Sequence, residues 1–326
     1  MRPFAYERPS DPAGAIAALR DHGPGARYLA GGTNLVDLMR LGVETPERLV
    51  DVSRLDLGGI ESTGDGGLRI GAGVRNSELA ADRTVRERYP VLAQALLAGA
   101  SGQLRNHATV GGNLLQRTRC PYFQDVTQPC NKRLPGSGCP AREGQHRNLA
   151  ILGHSEHCVA TNPSDMAVAL IALDAVVHVD GHAGARSIPI GELHRLPGDE
   201  PERETTLLAG ELITAVELPP APLAANSAYR KVRERASFSF AVVSVAAALD
   251  VRDGVVRDCR LALGGVAHRP WRALQAEDAL RGGPATAAAF ARAAQIELEQ
   301  ARPLRDNAYK VTLARNVMVR ALEGLR

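Results

Sequence analysis

Apolar and polar positions divide the first third of the chain into short helices and strands. Apolar residues recur at helical spacing in two segments before residue 55, and each is followed by a strand-like run. We predict helices over Ala13–His22 and Leu35–Leu41, and strands over Arg27–Leu29 and Arg48–Val52. Further on, the pattern predicts a strand at Leu68–Ala72 and helices near Ser77–Ala81 and Val91–Ala98.

The pattern then stops. From about Arg117 to His157 no helical or strand period is sustained, and prolines and glycines are frequent. A loop of this length within a compact domain is usually functional or disordered. Order resumes at Asn162-Pro-Ser-Asp165, which is typical of a helix start. We predict a helix over Met166–Leu173, strands at Ala175–Val179 and Leu212–Leu218, and a charged surface loop over Glu200–Thr206.

The last third has strands first and helices afterwards. A linker, Pro219-Pro-Ala-Pro222, precedes it. The predicted strands are Ala228–Arg233, Phe240–Val251 and Val255–Leu263, and the helices are near Trp271–Leu280, Ala285–Gln300 and Ala308–Leu322. This order is typical of an α+β domain. We therefore predict units over residues 1–55, 56–222 and 223–326, with residues 117–158 as an insert in the second.

Composition and the absence of known motifs argue against several classes of function. Aromatic residues make up only 4% of the 326 residues and the net charge is +3, which argues against a nucleic-acid partner. No apolar run approaches the roughly 18 residues that span a bilayer. The first residues are rich in acids and prolines, so we expect no export signal. Hydrolase motifs such as Gly-x-Ser-x-Gly and His-Glu-x-x-His are absent.

Two glycine-rich turns carry the first candidate chemistry. Ala30-Gly31-Gly32-Thr33-Asn34 follows a strand and opens a helix, and Thr109-Val110-Gly111-Gly112-Asn113 repeats the motif about eighty residues later. Paired glycines let backbone N–H groups approach a pyrophosphate, and a helix N-terminus favours its charge. The spacing differs from the Rossmann fingerprint. Either turn alone is explained as a tight turn, but two together could clamp one diphosphate.

Four cysteines fall inside the irregular stretch. Cys120, Cys130, Cys139 and Cys158 are separated by nine, eight and eighteen residues, so the short cysteine pair of most zinc sites is missing. Widely spaced thiolates suit a [4Fe–4S] cube, and the local excess of basic residues would offset its negative charge. Zinc, free thiols and disulfides stay open as alternatives. The fifth cysteine, Cys259, is predicted to be a buried structural thiol.

The glycine motifs, in this order and context, resemble the FAD-binding subunit of molybdenum hydroxylases, the family of xanthine dehydrogenase, aldehyde oxidoreductase and carbon monoxide dehydrogenase. The resemblance covers nearly the whole chain and includes Asn162-Pro-Ser-Asp165, Glu211–Pro219 and Leu263–Arg272. It implies an α+β fold, with FAD between two subdomains of the vanillyl-alcohol-oxidase type and a third, C-terminal domain of antiparallel strands followed by helices.

Candidate cofactor residues follow from the same resemblance. It implies diphosphate contacts from the two glycine turns, an acid that contacts the flavin, an apolar residue against its rings and a lysine near it. By position these are Leu29, Ala30, Gly31, Gly32, Thr33, Asn34, Leu35, Thr109, Gly111, Gly112 and Asn113, then Asp165, Ile213 and Lys231. Asp165 and Lys231 are expected to tune the flavin, so no catalytic residue is predicted.

The insert resembles that of flavin subunits that carry a [4Fe–4S] cluster, as in periplasmic aldehyde oxidoreductase and hydroxybenzoyl-CoA reductase. The match to the former, through Arg119-Cys-Pro-Tyr-Phe123 and the cysteine spacing, implies Cys120, Cys130, Cys139 and Cys158 as cluster ligands. Because the insert separates Gly111-Gly112-Asn113 from Asp165, we expect the cluster and the flavin to be close neighbours.

The predicted function is electron transfer. A molybdenum-cofactor subunit would oxidise an aldehyde or similar substrate, and a [2Fe–2S] subunit would relay electrons to this FAD and on to an external acceptor. Two alternatives remain: a stand-alone flavin oxidase or dehydrogenase, and a non-enzymatic assembly module with a zinc-bound loop. We expect a cytoplasmic protein, or a periplasmic one if it is exported with a signal-bearing partner.

Overall fold

The computed structural model describes residues 1–326, and its first part is a small parallel sheet with two helices. Its elements are β1 (Ala5–Glu7), α1 (Pro12–His22), β2 (Ala26–Leu29), α2 (Leu35–Arg40) and β3 (Arg48–Asp51), with the strands in the order β1-β3-β2. Asp11 caps α1 by accepting a hydrogen bond from the Gly14 N–H at 2.7 Å. The helices and the two predicted strands are confirmed within two residues, whereas β1 was not predicted.

The second part is built around a five-stranded antiparallel sheet. It contains β4 (Ile60–Ser62), β5 (Leu68–Gly71), α3 (Asn76–Ala81), α4 (Arg83–Arg88), α5 (Pro90–Ala98), α6 (Gly102–Arg105) and α7 (Val110–Leu114) before the insert. The insert has α8 (Pro121–Gln124) and one turn of 3-10 helix at Pro140–Arg142. After it come α9 (Asp165–Ala172), β6 (Val176–Gly181), β7 (Gly184–Pro189), α10 (Ile190–Leu193) and β8 (Leu212–Leu218). The strand order is β4-β5-β8-β6-β7.

The third part is a four-stranded antiparallel sheet followed by three helices. Its elements are β9 (Ser227–Val232), β10 (Val243–Arg252), β11 (Val255–Gly264), β12 (Trp271–Arg272), α11 (Leu274–Leu280), α12 (Ala287–Leu298) and α13 (Tyr309–Glu323), with strand order β12-β11-β10-β9. The helix predicted from Trp271 is wrong at its start, because Trp271 pairs with Leu263 and extends the sheet. The helix begins only at Leu274.

The C-terminal sheet is buried on both faces. Alternate residues of β10, such as Val245 and Ala247, face the core formed with α11, α12 and α13. Ala246 faces the opposite way, into the core of the second part, where all eight residues of α9 are buried. Each predicted unit contains one of the three sheets, and the residue boundaries between units stay a prediction. None of the helices combines the length and apolar character needed to cross a bilayer.

The insert is anchored at its end in the C-terminal core. Ile151 and Leu152 are fully buried there, and both backbone N–H groups donate to the Val266 carbonyl, at 2.9 and 3.0 Å. Lys310 of α13 is also buried and donates through its ammonium to the Leu149 carbonyl at 2.8 Å. The prediction that this stretch lacks sustained regular structure is confirmed, yet its conformation is fixed by contacts with other parts of the chain.

Candidate functional site

The first glycine turn connects β2 to α2. Gly32 has φ +72°, in the left-handed region that favours glycine. A Cβ on Gly31 would lie 2.0 Å from the carbonyl oxygen of His107, so no side chain fits there. That carbonyl belongs to the chain entering the second glycine turn. The glycine pair is therefore required by the contact between the two turns as well as by the bend of the first.

The second glycine turn is tied to the segment that carries Asp165. Thr109 caps α7 by accepting from the Gly112 N–H at 3.2 Å. The side-chain oxygen of Asn113 accepts from the Ser164 hydroxyl at 2.7 Å, although the two residues are 51 positions apart. Ser164 in turn caps α9, where Asp165 is the first residue. The two segments that flank the insert in the sequence thus lie side by side in one continuous site.

Both turns line a cavity of about 880 Å³, at the upper end of the range usual for small-molecule sites. Every predicted cofactor residue lines this cavity except Leu29, which lies behind Gly32. The lining members are Ala30, Gly31, Gly32, Thr33, Asn34, Leu35, Thr109, Gly111, Gly112, Asn113, Asp165, Ile213 and Lys231. The tertiary structure therefore brings together residues that are spread over two hundred positions of sequence.

A buried charge pair forms one wall of the cavity. The Lys231 ammonium lies 2.7 Å from one Asp165 carboxylate oxygen, and the Tyr229 hydroxyl donates to the other at 2.6 Å. Burial raises the pKa of Asp165, and the ammonium and hydroxyl oppose that rise. Burial and the neighbouring carboxylate raise the pKa of Tyr229, which keeps it a donor. The sequence analysis missed Tyr229, although it shares the strand face of Lys231 two positions away.

Arg119 and Phe240 form a second part of the cavity wall that was not predicted. The Arg119 guanidinium stacks on the Phe240 ring at 4.8 Å, and Phe240 is 47% exposed. Burial lowers the pKa of Arg119 to about 10. This side chain adds a positive charge to the cavity immediately before the first cysteine of the insert.

The four cysteines of the insert converge on one small pocket. Cys120, Cys130 and Cys158 are buried and Cys139 is half-buried, and all four line the pocket. Cys259 lies apart, fully buried in the C-terminal core, which confirms its prediction as a structural thiol. No three His, Cys, Asp or Glu side chains are arranged to hold a single metal ion.

Backbone N–H groups lie near three of the four insert cysteines, where they favour the thiolate forms. Tyr122 and Phe123 supply such groups to Cys120. Ala141, Arg142 and Val159 supply them to Cys139, and Ala160 does so for Cys158. Burial raises the pKa of Cys120 to about 11, whereas a hydrogen bond shared with Cys158 lowers that of Cys139 to about 6 and raises that of Cys158. The polypeptide thus provides donors that suit thiolates.

Two basic residues of the insert, Arg117 and Lys132, form ion pairs that attach it to the rest of the chain. Arg117 donates to Glu44 and Glu204, each at 2.6 Å, and stacks on the Phe123 ring at 4.5 Å. Lys132, whose side chain is 4% exposed, pairs with Glu204 at 2.9 Å. Burial raises the pKa of Glu204, but these two cations outweigh it and the net direction is down. Residues 200–206 form a loop as predicted, but the Glu204 carboxylate is paired and only a quarter of its side chain is exposed.

The cysteine pocket and the large cavity share a wall. Leu38 of α2 packs in the small core that contains Cys120, Cys130 and Cys158, and it also lines the large cavity. Arg119 lines the cavity and the next residue, Cys120, lines the pocket. The Arg117 N–H donates to the Asn34 side chain of the first glycine turn at 2.8 Å. The two sites are therefore immediate neighbours.

The chain matches two family models. The FAD-binding domain in molybdopterin dehydrogenase matches residues 2–221, and the CO dehydrogenase flavoprotein C-terminal domain matches residues 198–325. The chain belongs to this family of FAD-binding subunits. A curated relative, the aldehyde oxidoreductase FAD-binding subunit PaoB of Escherichia coli, is 54% identical over 100% of this chain and 99% of its own.

Other members of the family are more distant. The glyceraldehyde dehydrogenase medium chain of Sulfolobus acidocaldarius is 27% identical, over 84% of this chain and 79% of its own. The solved structure of CO dehydrogenase from Oligotropha carboxidovorans superposes with a TM-score of 0.78 at 25% identity, covering 99% of this chain and 97% of that one. The predicted fold class is confirmed: this FAD-binding subunit has the fold of the flavoprotein subunits of molybdenum hydroxylases, which are oxidoreductases.

Proposed function

We propose that this subunit carries FAD and one [4Fe–4S] cluster and transfers electrons within a molybdenum-dependent aldehyde oxidoreductase complex. A [2Fe–2S] subunit would deliver the electrons, an external acceptor would remove them, and a molybdenum-cofactor subunit would oxidise the substrate. The full-length identity of 54% to an aldehyde oxidoreductase subunit supports the choice of complex. The adjoining cavity and cysteine pocket support the electron-transfer role.

The large cavity fits FAD through its donors and its charges. Because Gly31, Gly32, Gly111 and Gly112 carry no side chains, a diphosphate could approach the backbone of both turns closely. Lys231 and Asp165 would hold the flavin end, with Ile213 as an apolar contact. FAD supplies the capacity to take up and store electrons. The protein's part is to bind it, to orient it, and to set the local field with the Asp165–Lys231 pair.

The cysteine pocket fits a cluster better than a single ion. Zinc requires its thiolates at about 2.3 Å from one centre, and the side chains are not arranged around such a centre. A cube binds one thiolate at each of four corners, which suits four cysteines from separate passages of a loop. Backbone N–H groups near three sulfurs and the Lys132 ammonium near Cys158 would stabilise the negative charge of a thiolate-bound cluster.

The single observation that carries the proposal is the wall shared through Leu38. Leu38 belongs to the buried cluster around Cys120, Cys130 and Cys158 and also lines the large cavity, so a redox centre at the cysteines and a flavin in the cavity would be adjacent, as electron exchange requires. The proposal therefore assigns the cluster a relay role.

An optical spectrum with iron, sulfide and zinc analysis of the purified complex tests the proposal. We expect flavin bands and about four irons assigned to this subunit, the count of one cubane cluster. Zinc without iron or flavin would establish the assembly-module alternative instead. Flavin reduction by an aldehyde added to this chain alone would support the stand-alone oxidase or dehydrogenase and contradict the partner model.

A further inference from the structure

A small polar cavity lies between the cysteine pocket and the FAD cavity. It has a volume of about 40 Å³, and we call it the inner chamber. Lys132 and Ala160 line both the chamber and the cysteine pocket, while Leu115 and Gln116 line both the chamber and the FAD cavity. The chamber is thus part of the wall between the two sites.

Several side chains around the inner chamber have buried polar atoms without a partner. Both ring nitrogens of His268 lack one, as do Nδ1 of His194 and one terminal nitrogen, Nη1, of Arg195. His268 and His194 are 8% and 5% exposed, so bulk water does not satisfy them. Unpaired buried polar groups are costly, and each such atom in a native protein calls for a bound partner.

The donor and acceptor pattern identifies that partner. The Nε2 of His194 lies 2.8 Å from the Leu114 carbonyl and must donate to it. Burial lowers the pKa of both His194 and His268, so each ring is neutral and has one nitrogen lone pair. A simple anion cannot donate to Nδ1 of His194, and a cation cannot accept from Nη1 of Arg195. Water both donates and accepts, and it satisfies all of these atoms.

We propose that the inner chamber is a site for ordered water, held by His268, His194 and Arg195, which makes the wall between the cysteine pocket and the FAD cavity polar. A volume of 40 Å³ has room for about three or four molecules, at roughly 10–15 Å³ of this measure for each. The role in the redox wall rests on the proposed function, because it requires a cluster at the four cysteines.

The expected consequence is a higher reduction potential of that cluster. Reduction adds negative charge, and nearby dipoles that can reorient stabilise added charge. Exclusion of the water should therefore lower the potential. The effect acts through polarity alone and needs no contact between water and sulfur.

The test compares His268→Phe, which fills the chamber with an apolar ring, with His268→Asn, which keeps a donor and an acceptor. In a high-resolution crystal structure of the complete complex we expect ordered water in the chamber of the wild type and of His268→Asn, and none in His268→Phe. In a redox titration followed by electron paramagnetic resonance, the cluster of His268→Phe should have a lower potential than that of His268→Asn, at equal iron and flavin content.

The outcomes separate the parts of the proposal. A dry wild-type chamber, or one occupied by an ion, would overturn the water site even if neither variant folds. Water in the chamber with equal potentials in both variants would overturn its role in the redox wall. A complex that contains no iron in this subunit would overturn the cluster, and the crystal structure would still decide whether the chamber holds water.

Discussion

The C-terminal domain and the insert are stabilised in different ways. The domain has a core of 26 buried residues on a regular sheet and three helices, and only two of them, Ile151 and Leu152, come from the insert. The insert, residues 117–158, contributes six residues to a separate core of nine, three of them cysteines, and Leu38 of α2, Val159 and Ala160 complete it. The domain thus folds around burial of apolar surface, whereas the insert has a small core and is attached by ion pairs to other segments.

Removal of one of the four insert thiols should disrupt the insert and leave the C-terminal domain folded. Cys158→Ser takes one corner ligand from the proposed cluster, and we expect the complex to lose about four irons per copy of this subunit, while the iron of the [2Fe–2S] partner remains. Metal analysis of the complex measures this directly. Cys259→Ser is the matched control, because its thiol lies in the C-terminal core and should leave iron unchanged. Equal iron in both variants would contradict the ligand assignment.

Neutralising a buried carboxylate in the C-terminal domain should destabilise the domain and leave the insert intact. Glu277 of α11 is fully buried, accepts from the Leu261 N–H at 2.7 Å and pairs with Arg281 at 3.0 Å. Glu277→Gln also weakens the ion pair with Arg272, whose side chain is only 13% exposed, and we expect a loss of about 3 kcal/mol in the free energy of unfolding. Denaturant unfolding measures it. The neighbouring Asp278, which is 74% exposed, provides the control variant Asp278→Asn, with no measurable change expected.

The ion pairs of Glu204 with Arg117 and Lys132 should make the stability of the insert depend on pH in the acidic range. The pKa of Glu204 is depressed below the usual 4.5, so its stabilisation is complete above pH 4.5 and is lost as the pH falls through the folded-state pKa. Glu204→Gln should cost about 2 kcal/mol at neutral pH, less than a fully buried pair because a quarter of the side chain is exposed.

The pH dependence distinguishes this pair from ordinary surface charges. Thermal unfolding of the complex from pH 6 down to pH 3 should show a smaller loss of stability for Glu204→Gln than for the wild type. Glu200→Gln removes a carboxylate that is 47% exposed from the same loop, so between pH 4.5 and pH 3 its profile should lie closer to that of the wild type than the profile of Glu204→Gln does. Identical acid profiles for the wild type and Glu204→Gln would mean that the pair does not support the insert.

The smallest effect is expected at the outer edge of the insert. Glu156 is 82% exposed and pairs with Arg142 at 2.8 Å. Such surface pairs contribute roughly 0–1 kcal/mol, and Glu156→Gln should change unfolding by less than about 0.5 kcal/mol. Iron content and denaturant midpoint provide the measurement. A larger effect would show that the insert depends on surface charges and not only on its thiols and the Glu204 pairs.

Prediction from sequence succeeded where burial follows a regular period. The strands Leu212–Leu218 and Val255–Gly264 and the helix Tyr309–Glu323 agree with the pattern within two residues. It failed where an element is too short to have a period, as in β1 and β12, which exist because a neighbouring strand pairs with them. The resemblance through the glycine motifs supplied the candidate cofactor residues, and all but Leu29 line one cavity.

The sequence by itself determined the regular elements and the positions of the two glycine turns and the four cysteines. Together these motifs indicated the protein family. The tertiary structure decided that Gly31 abuts His107, that Tyr229 joins Asp165 and Lys231, and that Glu44 and Glu204 reach Arg117. It also formed the inner chamber beside the cysteine pocket and the large cavity. The physical reason is distance along the chain: periodicity reports local burial, whereas these contacts join residues from 64 to 87 positions apart and leave no local pattern.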